Sequence, residues 1–176
     1  MRTQVSKDIL DNFFKEFAKS FRTECNVYIL GGASAIFYGW RVSTHDIDLK
    51  VIPDSEAYKV ISSLKDRMSL NIELASPDNF IPALPGWQDR SEFIVRHGKV
   101  NYYHYDFYAQ ALSKLERAFE RDIADVDEMI SAKLIQLDRL MSLFEEIELD
   151  LVKFPAIDPK TFRSVVEDFI SSKRSV

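Results

Sequence analysis

Leu30-Gly31-Gly32-Ala33-Ser34, then thirteen residues after Gly32, Asp46-Ile47-Asp48-Leu49: the reading of these two stretches decides the fold. Asn26 to Leu30 is a short apolar run that stops at a glycine pair, the pattern of a buried strand. Ala33 to Tyr38 reads as a short helix opened by the glycines and closed by Gly39. Arg41 to His45 reads as a loop. Asp46 to Ile52 alternates polar and apolar residues, and Pro53 ends the run. Side chains in a strand alternate faces, so Asp46, Asp48 and Lys50 share one face and Ile47, Leu49 and Val51 the other. The apolar face can bury itself while two carboxylates converge on open space. Like charges so placed repel without a cation, and Mg²⁺ (or Mn²⁺) is commonly held by one or two carboxylates plus substrate phosphates. Glycine lets a phosphate approach the backbone closely, and Ser34 offers a hydroxyl beside Gly31 and Gly32. Taken singly, each half also reads as a tight strand-to-helix turn or as a pair of surface acids.

Outward from this pair, Ile9, Phe13, Phe14, Phe17 and Phe21 recur at helical spacing and predict an amphipathic first helix. Ser55 reads as the N-cap of a helix to about Arg67, and Leu70 to Ala75 as a strand whose Glu73 is a structural or surface acid. Ser76 to Arg90 holds three prolines and a glycine, which predicts a loop or lid. Trp40 and Trp87 read as packing groups, with Trp87 also placed to stack on a base. Glu92 to Arg96 and Val100 to Tyr108 read as a hairpin linked by His97-Gly98-Lys99. On the second strand Asp106 would share a face with His104 and Tyr102. An acid inside so aromatic a strand is costly to bury unless paired or metal-bound, so Asp106 reads either as a candidate third carboxylate or as an acid on a solvated strand face. From Ala109 the periodicity is helical: Leu112, Leu115, Phe119, Ile123 and Val126 mark one or two helices, and Asp158-Pro159 reads as N-cap and first residue of a last helix to about Ser171. Lys114, Ala118, Arg121, Asp122 and Asp125 fall near one face if that stretch is one helix. They read either as a basic face toward phosphates or as an exposed helix laced by an Arg121–Asp125 pair. The expectation is an α+β fold: a mixed sheet flanked by helices over residues 1–108, and a C-terminal helical region over 109–176 packed on it.

Composition bounds the function. Apolar residues are 46% of the 176, with 13 Phe and 7 Tyr, which demands a packed core. A net charge of −5 argues against a generic nucleic-acid coat. The one cysteine, Cys25, excludes an internal disulfide and a cysteine metal cluster, and fits a reducing compartment. Neither a signal-peptide pattern nor an apolar run of spanning length is present, so the expectation is a cytoplasmic protein with no membrane partner.

At these residues the chain resembles the nucleotidyltransferase superfamily related to DNA polymerase β. That signature is an apolar residue with Gly-Gly or Gly-Ser, a gap of about a dozen residues, Asp-apolar-Asp-apolar, and a later acid flanked by apolar residues. Here the parts are Leu30-Gly31-Gly32, Asp46-Ile47-Asp48-Leu49 and Tyr105-Asp106-Phe107, in that order. More narrowly the chain resembles the prokaryotic branch of AbiEii-like toxins and related small nucleotidyltransferases. That branch has an Arg and a Thr or Ser before the double Asp, here Arg41, Ser43 and Thr44. It also has a later basic and acidic run, here Lys114, Arg117, Arg121-Asp122 and Asp125. The resemblance spans roughly residues 26–126. The chain departs from the branch in having Arg121 where Lys is frequent, and in a shorter helical tail.

The resemblance implies a metal-dependent transfer of a nucleotide from an NTP to an acceptor hydroxyl, with pyrophosphate leaving. Asp46, Asp48 and Asp106 would hold Mg²⁺ (or Mn²⁺). Gly31, Gly32, Ser34, Arg41, Thr44, Arg121 and Asp122 would bind the nucleotide, and Lys114 would act in catalysis. The acceptor classes are tRNA, a protein side chain or a small molecule, and the branch implies a toxin with an antitoxin protein as partner. The rival reading is a nucleotidyltransferase-fold module that binds nucleotide or a partner protein without turnover.

Overall fold

The structure is a computed structural model that describes residues 1–175. The chain forms two compact units, one of Met1–Ser76 with Ser91–Tyr105, the other of Pro77–Arg90 with the chain from Asp106 onward. Together they make a mixed α+β protein with one five-stranded mixed sheet, flanking helices and a C-terminal helix.

The first unit carries the sheet. Its elements are α1 (Lys7–Ala18), β1 (Cys25–Leu30), α2 (Gly32–Tyr38), β2 (Asp46–Ile52), α3 (Ala57–Arg67), β3 (Asn71–Leu74), and then, after a passage through the second unit, β4 (Glu92–His97) and β5 (Val100–His104). The strand order is β3-β2-β1-β5-β4. β1 runs antiparallel to β2 and parallel to β5, β3 is parallel to β2, and β4 is antiparallel to β5. α1 opens on Ser6, whose hydroxyl accepts from the Ile9 amide, and buries Leu10, Phe13, Phe14 and Phe17. Those rings lie in one core with Val27, Ile29, Ile47, Leu49, Val51, Ile72, Val100 and Tyr102 from alternate positions of the strands. Phe14 and Tyr102 stack with centroids 4.1 Å apart, and the Tyr102 hydroxyl donates to the Phe14 carbonyl at 2.7 Å. Each such ring taken from water contributes about 1.5–3 kcal/mol. This apolar face fixes the register, because a one-residue slip would bring the carboxylates of β2 into the core.

The second unit is helical: a 3₁₀ turn (Pro77–Asn79), α4 (Trp87–Arg90), α5 (Phe107–Arg117), α6 (Glu120–Ser131), α7 (Leu137–Glu148), a second 3₁₀ turn (Leu149–Lys153) and α8 (Pro159–Arg174). Its apolar residues include Leu112, Leu115, Val126, Met129, Leu140, Leu143, Phe144, Phe162 and Val166, all buried. Phe144 and Phe162 meet edge to face at 5.0 Å. α5 touches α6, α7, α8 and the turn at Pro77–Asn79.

Four details depart from the sequence expectations. The segment after Ser76 is no open loop: Ile81 and Leu84 are buried, and it supplies the 3₁₀ turn and α4. The N-cap of α3 is Glu56 rather than Ser55, because a turn places the Ala57 amide on the Asp54 carbonyl. β5 stops at His104, so Asp106 lies beyond the strand as the N-cap of α5. The helical stretch after Ala109 breaks where Ala118 takes φ 55°, so Lys114 belongs to α5 while Arg121, Asp122 and Asp125 belong to α6. Among the described residues no helix is long and apolar enough to cross a membrane.

Candidate active site

The first unit gathers the glycine turn and the paired acids. Burial along β2 alternates strictly, with Ile47, Leu49 and Val51 inside and Asp46, Asp48 and Lys50 half-buried on the opposite face. Antiparallel pairing sets Leu30 opposite Asp48, which carries the chain from β1 directly into the turn beside that acid. Gly31 has φ 60°, and a Cβ placed on it would lie 3.5 Å from Asp48 Oδ2. A side chain there would thus occupy the space in front of the carboxylate. Glycine at Gly31 satisfies the backbone and keeps that space open.

Gly32 answers a different need. A Cβ on it would collide with the Thr44 side chain, which is buried against the turn. Thr44 is itself fixed by two backbone bonds to Val5, at 2.8 and 2.9 Å. Thr44 therefore braces the turn. Ser34 also faces inward: its hydroxyl donates to the Ile29 carbonyl at 3.3 Å and meets His104 Nδ1 at 2.9 Å. With the hydroxyl proton on Ile29, His104 carries its proton on Nδ1 and donates to Ser34. Burial pushes the His104 imidazole down to about 4, so it is neutral at pH 7. Arg41 is half-buried in the loop before β2.

Two residues on β3 join this face: Asn71, to which the sequence reading gives no role, and Glu73, which it reads as structural or surface. Parallel pairing sets Asn71 beside Asp46 and Glu73 beside Asp48. Asn71 Nδ2 donates to Asp46 Oδ1 at 2.5 Å and to Glu73 Oε1 at 3.3 Å. Glu73 is thus a third acid on the carboxylate face. The local signal was Ile72-Glu73-Leu74, an acid between apolar residues. Glu73 is exposed, as the surface reading has it, and its place beside Asp48 depends on a non-local strand pairing that no local pattern shows.

The second unit holds the other candidates. Asp106 is buried and caps α5, accepting from the Tyr108 amide at 3.2 Å. Arg90 Nε and Nη2 donate to Asp106 Oδ2 at 3.1 and 2.7 Å, while Nη1 donates to the Pro85 carbonyl at 2.8 Å. Burial raises the Asp106 carboxyl above its ordinary value, with Arg90 and the helix amides opposing. Arg90 had no signal in the sequence beyond ending the proline-rich stretch. Lys114 is buried, with Nζ 2.8 Å from Asp125 Oδ2 and 3.6 Å from Asp122 Oδ1. Arg117 reaches the same Asp122 oxygen at 2.6 Å, while Asp122 Oδ2 is buried and accepts no hydrogen bond. The Arg121–Asp125 pair read from the sequence is replaced by Lys114–Asp125, because α5 and α6 fold back on each other. Arg121 is exposed.

No group of three His, Cys, Asp or Glu side chains among the described residues is gathered to hold a metal by itself. The carboxylate face instead suits a hard cation that completes its shell from phosphates and water. Its donors are oxygens, two of the acids lie on one strand, and Gly31 places no side chain before Asp48.

Neither the curated proteins nor the solved structures include a match to this chain. One family profile does match, over residues 9–174, which takes in the glycine turn, the carboxylate face and both units. By that match the chain belongs to the family described as nucleotidyltransferase of unknown function (DUF6036).

Proposed function

We propose that the chain moves a nucleotidyl group from a nucleoside triphosphate to an acceptor hydroxyl in a reaction that depends on Mg²⁺. The observation that carries this reading is the face of β2 on which Asp46 and Asp48 stand together, with Gly31 adding no side chain in front of Asp48. Family membership supports the same chemistry. Asp46 and Asp48 would hold the cation, with Glu73 beside them as a third negative group. Bound there, Mg²⁺ neutralises phosphate charge and favours the ionised acceptor oxygen.

The protein's own share is positional. The strand pleat aims both aspartates the same way, and the core beneath β2 prevents their rotation out of register. The acceptor oxygen forms a bond to the α-phosphorus as the bond to pyrophosphate breaks, and a carboxylate of this face receives the acceptor proton. Thr44 and Ser34 serve this site from behind, Thr44 by bracing Gly32 and Ser34 by tying α2 to β1 and His104.

The test is incubation with α-labelled NTPs, Mg²⁺ and cell extract, following label and pyrophosphate. Label is expected to enter one acceptor class: tRNA, protein or small molecule. Asp46→Asn and Asp48→Asn should each lower transfer by about a hundredfold or more, since several kcal/mol of charge stabilisation are removed. Circular dichroism should show the fold unchanged. Unaltered turnover in both variants would sink the assignment.

A further inference from the structure

The amide of Asn71 sits between two acids of the carboxylate face. It is half-buried on β3, directly beside Asp46 in the parallel register. Its Nδ2 is 2.5 Å from Asp46 Oδ1 and 3.3 Å from Glu73 Oε1. A carboxamide nitrogen has two protons to give, and here one goes to each acid. The consequence is geometric. One oxygen of Asp46 is fixed toward β3, which turns Oδ2 away from it. One oxygen of Glu73 is fixed toward Asp46, which draws that flexible side chain along the strand toward the other acid. The amide carries no charge, so it orients the two carboxylates without neutralising either, as a lysine in its place would.

We propose that Asn71 is a positioning residue for cation binding. By sharing its amide between Asp46 and Glu73 it holds both carboxylates on the open face in the orientation that receives a divalent metal. The inference rests on the metal reading of Asp46 and Asp48. Partners that orient metal ligands in this way contribute about 10–100-fold in metal affinity.

The experiment uses the full chain and Mn²⁺ alone, with binding read by water-proton relaxation. Four proteins are compared: wild type, Asn71→Ala, Asn71→Gln and Asp46→Asn. Asn71→Ala is expected to weaken Mn²⁺ binding about tenfold. Asn71→Gln keeps an amide donor and is expected to recover most of that loss. Thermal midpoints measured without metal show whether β3 is intact in each variant. Asn71→Ala equal to wild type overturns the proposal. So does Asn71→Gln as weak as Asn71→Ala at an unchanged midpoint, since shape and not the donor would then be what matters. Failure of the underlying reading looks different: wild type takes up no Mn²⁺, or Asp46→Asn binds it as well as wild type does.

Discussion

His104 shows how one buried side chain couples the site's scaffold to pH. It lies on β5, held by Ser34 and flanked by the Phe37 and Tyr38 rings at 5.4 and 5.1 Å. Burial holds it at about 4 in the folded chain against 6.5 when free. A depressed folded value means the unfolded chain binds the proton first as pH falls. The contribution is fully present above pH 6.5 and is lost progressively down to about pH 4. The whole span corresponds to about 3 kcal/mol. Urea unfolding at a series of pH values should therefore show wild type losing stability over that window more steeply than His104→Gln, whose side chain does not titrate. Parallel pH profiles for the two proteins would remove His104 as the cause. Gly32 and Thr44 make a similar point without titration: a residue that reads as a phosphate contact is also a fixed part of the turn's packing.

At the scale of elements, what was legible followed from local periodicity. The alternation from Asp46 to Ile52 announced both the strand and the common direction of its acids, and the phenylalanine spacing announced α1. What escaped depended on where chain segments meet. Tyr105-Asp106-Phe107 has the aromatic content of a strand, yet β5 ends at His104 and the acid becomes a helix cap. The turn at Ala118 involves no glycine or proline, so the pattern, which allows one or two helices there, does not mark the break that the structure shows. Glu73 and Asn71 gain meaning only from the pairing of β3 with β2. The start of α5 shows the energetic side of such meetings. Asp106 both caps the helix and pairs with Arg90 of α4, which is three-quarters buried. Asp106→Ala removes the cap and strands the guanidinium. The expected loss is about 3–5 kcal/mol by denaturant unfolding, because an unpaired buried charge dominates. Asp106→Asn keeps a capping oxygen and should recover about 1 kcal/mol of that. A loss below about 1 kcal/mol for Asp106→Ala would mean that Arg90 finds another partner.

For the whole molecule, the two compact units interleave along the chain. The sequence reads as a core to residue 108 followed by helices, whereas the units divide at 76/77, 90/91 and 105/106. Pro77–Arg90 therefore belongs with helices that begin after residue 105. A fragment ending near 108 would hold this segment without most of the helices of its own unit. Ligand linkage is accordingly best measured on the full chain. All three acids of the proposed cation face lie in the sheet unit. A nucleotide that binds only the folded sheet with its cation raises stability by RT ln(1 + [L]/Kd), about 2.7 kcal/mol at a hundred times Kd. For a chain of this length each kcal/mol moves the thermal midpoint by about 2–4 °C, so the rise should be about 5–10 °C. Calorimetry should show that rise with NTP and Mg²⁺ together and far less with either alone. If the units unfold in separate transitions, the shift falls on the sheet unit's transition. Asp48→Asn should abolish it, because on the proposed reading the cation that would join the phosphates to β2 loses a ligand. A midpoint that rises equally with NTP in the presence of a chelator would place nucleotide binding away from the carboxylate face.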